Sequence, residues 1–184
     1  MRIATWNVNS LRARLEKVTW WLARARPDVL MMQETKLADA SPAFEAVARR
    51  REAKAVAAEQ ASSPVTAREN YFMAAIHWAA AQWPIDENNE VNRFYNGKKR
   101  ECYTKYAQLA DHRVEAAWIP LPGGPSLPAW FHLPPDYKGG RIPVVVSIPG
   151  MDSFKEIGVA MYGDRWLSRG LAVLALDGDR KSVV

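Results

Sequence analysis

Apolar and polar positions change period several times along this chain, and each change marks an element. Arg2 to Val8 alternates as a strand does. Asn9 or Ser10 can cap a helix with an apolar face of Leu11, Leu15, Val18 and Leu22. Pro27-Asp28 interrupts it, and Val29 to Met32 is a second apolar strand ending in Gln33-Glu34-Thr35. Residues 42–60, rich in Ala, Arg and Glu, read as an exposed helix closed at Ser62-Ser63-Pro64. Thr66 with Glu69 forms a capping box for a helix through Tyr71, Phe72, Ile76 and Trp83 that Pro84 stops. Asp86 to Ala110 is a third helical stretch, carrying Phe94, Tyr103, Tyr106 and Leu109.

The texture changes at Asp111. Val114 to Ile119 reads as a strand, Pro122-Gly123-Gly124-Pro125 as a turn, and Leu127 to Leu133 as the returning strand. Pro143 to Ile148 is a Val-rich run whose length and β-branching predict a strand buried on both faces. Pro149-Gly150 breaks it, and Ser153 with Glu156 makes a capping box for a helix spaced on Ile157, Met161 and Leu167. Arg169-Gly170 ends that helix before a second apolar run, Leu171 to Leu176. Strand, helix, strand at this spacing is a βαβ unit with a right-handed parallel crossover.

Composition narrows the class without naming a chemistry. Among 184 residues, 48% are hydrophobic and 24% charged, in the range of globular domains. No apolar run approaches the ~20 residues that span a bilayer, so no membrane segment is expected. The opening MRIATWNVNS has no apolar signal core, so a cytoplasmic product is expected. The formal charge of +5 permits nucleic-acid binding, but Arg49-Arg50-Arg51 and Lys98-Lys99-Arg100 read as solvated helix faces. Cys102, the single cysteine, reads as a packed or idle thiol, and His77 as a packed or interface histidine without a second ligand at helical spacing.

Asn7 and Glu34 fall at the ends of two strands that one sheet would place side by side. A carboxylate there serves either as a cap or as a ligand for Mg²⁺, a hard ion that takes oxygen donors and keeps several waters. TWNVNSLRAR followed by PDVLMMQETKL resembles the opening of exonuclease III-type abasic-site endonucleases, of the endonuclease/exonuclease/phosphatase superfamily. The resemblance implies that Asn7 and Glu34 help hold the catalytic metal, with DNA as substrate. It covers about the first 40 residues, and the family's distal Tyr, Asn, Asp and His motifs do not follow.

ARENYFMAAIHWAAAQWP, RVEAAWIPLPGG, LPAWFHLPP, VVVSIPGMDSFKE and YGDRWLSRGLAVLALDG resemble a second family. They are similar to esterase and acyl-peptidase-like α/β-hydrolases with a helical segment ahead of the core, the group that includes pseudooxynicotine hydrolases. This resemblance runs over about residues 45–178. It implies that residues 66–110 line a pocket for a small acyl substrate and that Ile148 to Asp152 form the oxyanion loop, with Gly150 letting the backbone approach and Met151 N–H as donor. No cofactor is implied. The nucleophile elbow G-x-S-x-G and a later acid and His are absent from the sequence. Ser147, Ser153 and Ser168 lack that context, and His112 and His132 precede the oxyanion loop.

The expected architecture is therefore α/β: residues 1–40 a short nuclease-like βαβ piece, 41–110 a helical segment, and 111–178 a hairpin plus two parallel strands of an incomplete α/β-hydrolase sheet. Residues 179–184, DRKSVV, are what GATCGGAAGAGCGTCGTG encodes, the start of a common sequencing adapter, and two unrelated family signatures meet without a linker, so a chimeric gene joined between about residues 37 and 50 is expected. A sheet cut there exposes an edge and an apolar face, and poor solubility follows. Three functions stay open: a serine-dependent hydrolase, a Mg²⁺-dependent nuclease, and a fragment with neither activity.

Overall fold

The computed structural model describes residues 1–35, 40–85, 87–150, 153–161 and 165–177, with the side chains of 160 and 161 left aside. The chain divides into two compact units, Met1–Ala40 and Ser41–Val184.

In the first unit, β1 (Ile3–Asn7) and β2 (Val29–Gln33) pair in parallel, with α1 (Leu11–Ala25) as the crossover. The register sets Ile3 against Val29 and Asn7 against Gln33. Ser10 caps α1, its hydroxyl accepting from Ala13 N–H. Arg26 leaves the helix in the left-handed conformation, and its N–H returns to the Leu22 carbonyl. The apolar face is narrower than its spacing predicts. Val18 and Val8 are buried, whereas Leu15 is 56% exposed, because one helix laid on two strands covers only its central row.

The second unit begins with three helices: α2 (Ser41–Gln60), α3 (Pro64–Gln82) and α4 (Glu90–Leu109). Alanines at Ala48, Ala55 and Ala58 of α2 and at Ala67, Ala74, Ala75 and Ala81 of α3 are buried, and small side chains let the two helices approach closely. Helix α2 is exposed over most of its length, as expected, but buries a row of alanines. Glu45, Glu52 and Glu59 recur every seventh residue, hence on one face. Each accepts a hydrogen bond from an aromatic side chain of another helix: Tyr95 Oη on Glu45 at 2.6 Å, Trp78 Nε1 on Glu52 at 3.1 Å, Tyr71 Oη on Glu59 at 2.6 Å. Lys98 and Lys105 of α4 close ion pairs with Glu52 and Glu59. Helix α3 starts earlier than the Thr66–Glu69 capping box predicts. Ser63 precedes it with Pro64 in the first turn, where a missing N–H costs nothing.

The hairpin forms as its turn signal predicts: β3 (Val114–Ile119) pairs antiparallel with β4 (Leu127–His132). β4 in turn pairs antiparallel with β6 (Ala172–Leu176), and β5 (Val144–Ser147) lies parallel to β6, giving the order β3-β4-β6-β5. β5 is therefore an edge strand. It is not buried on both faces as its apolar run suggested, for Val144, Val146 and Ile148 are 47–63% exposed. Central β6 is the buried strand, with Ala172, Val173 and Ala175 inaccessible.

The β5–β6 crossover is not one helix. A 3₁₀ turn at Lys155–Ile157, the short α5 (Gly158–Met161) and a second 3₁₀ turn at Leu167–Arg169 share it. Gly158 passes so close to β5 that an added Cβ would stand 3.3 Å from Ser147 Oγ. Gly170, at φ 73°, turns the chain into β6.

Trp78 is wholly buried at the centre of the helical core. Trp78→Ala should cost about 3–5 kcal/mol through the cavity it leaves and the lost bond to Glu52. Trp118→Ala, at a 57% exposed position, should stay within about 0.5 kcal/mol. Urea denaturation of both variants checks the contrast.

Candidate functional site

The first unit brings together the two residues that its motif singled out. Asn7 ends β1 and Glu34 follows β2, so the parallel register delivers both to the same sheet end. Asn7 Nδ2 donates to Glu34 Oε1 at 2.8 Å, and Asn7 Oδ1 accepts from Asn9 N–H at 3.1 Å. Glu34 has φ +49°, an uncommon conformation for a carboxylate residue that turns the chain sharply at the strand end. The donor set is one carboxylate and one amide oxygen. It suits a Mg²⁺ that keeps most of its waters, and it is too small to enclose a cation alone. No group of three or more His, Cys, Asp or Glu able to hold a metal occurs among the described residues.

In the second unit the residues expected to form an oxyanion loop follow β5. Its Gly150 is exposed, and the Gly150 carbonyl accepts from Ser153 N–H at 3.1 Å. Met151, the expected donor, and Asp152 lie outside the described residues. The capping box expected of Ser153 and Glu156 does not form. Phe154 precedes the 3₁₀ turn, and Glu156 points inward, completely buried. An ionic cluster takes its place.

Lys155 N–H donates to Asp177 Oδ1 at 2.7 Å, and Lys155 Nζ reaches Asp177 Oδ2 at 2.7 Å and Glu156 Oε1 at 3.1 Å. Trp130 Nε1 of β4 also donates to Glu156 Oε1, at 3.2 Å. From α4, buried Lys99 donates to Gln82 Oε1 at 3.3 Å, and Gln82 in turn donates to Asn92 Oδ1 at 2.9 Å. Burial pushes the Glu156 carboxyl up, but the charges of Lys99 and Lys155 outweigh it and hold it below the ordinary range. Burial lowers Lys99. It would lower Lys155 as well, but Glu156 and Asp177 together raise that ammonium above its usual value. Lys155 thus sits inside the protein paired with two carboxylates, with Lys99 hydrogen-bonded to Gln82 nearby. Glu156 Oε2 alone of this set has no hydrogen-bond partner.

A second polar chain runs beside it. Asp111 Oδ1 lies 3.1 Å from His112 Nδ1, His112 Nε2 lies 2.9 Å from His132 Nδ1, and His132 Nε2 lies 3.3 Å from Tyr103 Oη. His132 and Tyr103 are fully buried. His77, as expected, is packed, its Nδ1 against the Met73 carbonyl of its own helix at 2.6 Å. Burial pushes the Cys102 thiol up to about 12, which suits a packed thiol and not a nucleophile. Ser168 donates to the Arg165 carbonyl.

Sequence reasoning missed the ionic cluster and the histidine chain. Lys155-Glu156 inside an otherwise apolar tract was the available signal for the first. The second joins residues twenty positions apart across a hairpin, and no local spacing announces it.

The mixed sheet with helices ahead of it defines the second unit as an α/β fold. Residues 4–140 match the model of the Endonuclease/Exonuclease/phosphatase family, and the chain belongs to that family. The chain is also similar to curated alpha/beta hydrolases. It is 32% identical over 123 residues to xenA of Xenoacremonium sinensis, covering 66% of this chain and 29% of that protein. It is 28% identical over 149 residues to ucsC of Acremonium sp, covering 73% and 30%. The crystal structure of the 2,6-dihydroxy-pseudo-oxynicotine hydrolase superposes with a TM-score of 0.59 at 24% identity, over 73% of this chain and 37% of that one. Most of that span necessarily falls in the second unit, since the first ends at Ala40. The chain spans less than a third of the length of these curated relatives.

Lys155→Met would leave Asp177 and Glu156 buried without their shared cation. We expect a loss of about 3–5 kcal/mol at neutral pH. The deficit should narrow as pH falls through the carboxylate range, because protonated acids tolerate burial. Chemical denaturation between pH 7 and 4 measures both.

Proposed function

We propose that the second unit is the helical and oxyanion-loop portion of a serine-dependent α/β-hydrolase acting on an ester, amide or carbon–carbon bond of a small acyl substrate. The observation that carries this reading is the hairpin-then-crossover sheet with the Gly150 loop leaving β5, held against β6 by Lys155 and Asp177. In such chemistry negative charge builds on a carbonyl oxygen, and backbone N–H groups must already face it. Gly150 gives the approach and Met151 N–H is the proposed donor. The nucleophile, its acid and its histidine are not among these 184 residues as a G-x-S-x-G elbow with its partners, so this polypeptide alone should be inert. A fluorophosphonate probe on the purified chain should label no serine above the level of a heat-denatured sample. Stoichiometric labelling of Ser147, Ser153 or Ser168 would overturn the assignment.

A second reading belongs to the first unit and rests on the Asn7–Glu34 hydrogen bond at the shared sheet end. There Glu34 and the Asn7 amide oxygen would hold Mg²⁺, which polarises a phosphodiester oxygen when bound. DNA is then the ligand. Mg²⁺ titration followed by ¹H–¹⁵N spectra should shift the Asn7 and Glu34 amides in the intact chain and leave them still in Glu34→Ala. Identical spectra with and without Mg²⁺ would end this reading.

A further inference from the structure

We propose that Tyr103, His132, His112 and Asp111 form a directional hydrogen-bond chain that reports protonation at the surface to a buried tyrosine hydroxyl, by reversing its direction when a single proton is added. This device stands apart from either reading of function above.

The direction follows from counting donors and acceptors. An ionised Asp111 only accepts, so His112 Nδ1 must carry a hydrogen. A neutral His112 then has a bare Nε2, which must accept from His132 Nδ1–H, 2.9 Å away. His132 Nε2 is left bare and accepts from the Tyr103 hydroxyl at 3.3 Å. One pattern satisfies every group: tyrosine donates to the first histidine, the first to the second, and the second to the carboxylate. Both rings hold the Nδ1–H tautomer.

Adding one proton allows one other pattern. The facing nitrogens, His112 Nε2 and His132 Nδ1, can hold a single hydrogen between them. The added proton therefore forces His132 Nε2 to carry a hydrogen and to donate to Tyr103 Oη. The tyrosine hydroxyl becomes an acceptor, and its own hydrogen must turn elsewhere. A second added proton would set N–H against N–H at 2.9 Å. Burial, and to a lesser degree His112, hold His132 down to about 3, in keeping with a ring that does not take a charge of its own.

The charged and titratable neighbours fit this polarity. Asp111, 72% exposed, also pairs with Arg68 of α3 at 3.2 Å. The hydrogen bond from His112, then Arg68, keeps its carboxyl below the ordinary range. Arg113 is engaged with Glu115 on β3. On the inner side stand Tyr106 of α4, whose ring is 5.1 Å from that of Tyr103, and Trp130, 4.8 Å from it and bonded to Glu156. Tyr103 also feels the Glu156 charge, and Glu156 Oε2 is, among the described residues, a buried acceptor without a hydrogen-bond partner. Reversal thus frees a hydroxyl hydrogen in an interior where Tyr103 also feels the Glu156 carboxylate.

Long-range ¹H–¹⁵N spectra of histidine-labelled full-length chain test this. At pH 7, His112 and His132 should both show Nδ1–H and a bare Nε2. On acidification, before unfolding, His132 should exchange Nδ1–H for Nε2–H with uptake of one proton by the pair. Asp111→Ala, at an exposed position, should shift His132 toward Nε2–H already at pH 7, since nothing then fixes His112. Nε2–H on His132 of the unaltered chain at pH 7 would overturn the proposal. So would uptake of two protons by the folded pair, or an Asp111→Ala spectrum with unchanged tautomers.

Discussion

An ion-paired trio, Lys155 with Glu156 and Asp177, lies in the interior of the second unit, and the elements around it are arranged so as to compensate those buried charges. Removing an ammonium or carboxylate from water costs several kcal/mol unless an opposite charge and hydrogen bonds replace the solvent. Lys155 meets that condition by binding Asp177 through both its backbone N–H and its Nζ. Glu156 meets it through Lys155 and Trp130. The partners come from the crossover, the end of β6 and strand β4, so no one of these elements can shift without uncovering a charge. The bond from Lys155 to Asp177 also fixes where the loop leaving β5 rejoins the fold. Whatever the Gly150 loop presents to a ligand, its downstream end is pinned to the terminus of the central strand.

The helices obey the same economy of polar groups. An Ala-rich helix has little apolar area with which to hold its neighbours. α2 compensates with carboxylates that accept from Tyr71, Trp78 and Tyr95, while lysines of α4 neutralise two of them. Aromatic rings thereby enter the core with their polar atoms satisfied. This core continues to Trp130 of β4, which is how the helices and the sheet come to share one interior.

Much of this was legible in the residues. The described strands were readable from alternation in β1 and from apolar runs with a flanking Pro or Gly in the others, and the Asn7–Glu34 pair followed from placing both at strand ends. What failed did so for identifiable reasons. The run Val144–Val146 is apolar enough for a central strand, yet strand order makes it an edge, and order is a tertiary property. Glu156 has the spacing of a cap, but Trp130 and Lys155 offered it a better-compensated place inside. Leu15 and Leu22 lie on a proper helical face, and only the narrowness of a two-stranded sheet leaves them half in solvent. The histidine chain depends on the β3–β4 register and on α4 lying alongside, neither of which a single sequence encodes locally.

The seven-residue spacing of Glu45, Glu52 and Glu59 makes α2 behave as a toothed rack. Its three carboxylates hold their aromatic partners only in one rotational setting, and residues one apart on a helix point about 100° from each other. Exchange of one side chain along this rack removes one tooth. Insertion or loss of a residue between Glu45 and Glu59 would instead put the teeth on either side of the change out of phase, so that they could not engage together. Variation in this helix is thereby channelled toward changes of identity and away from changes of length.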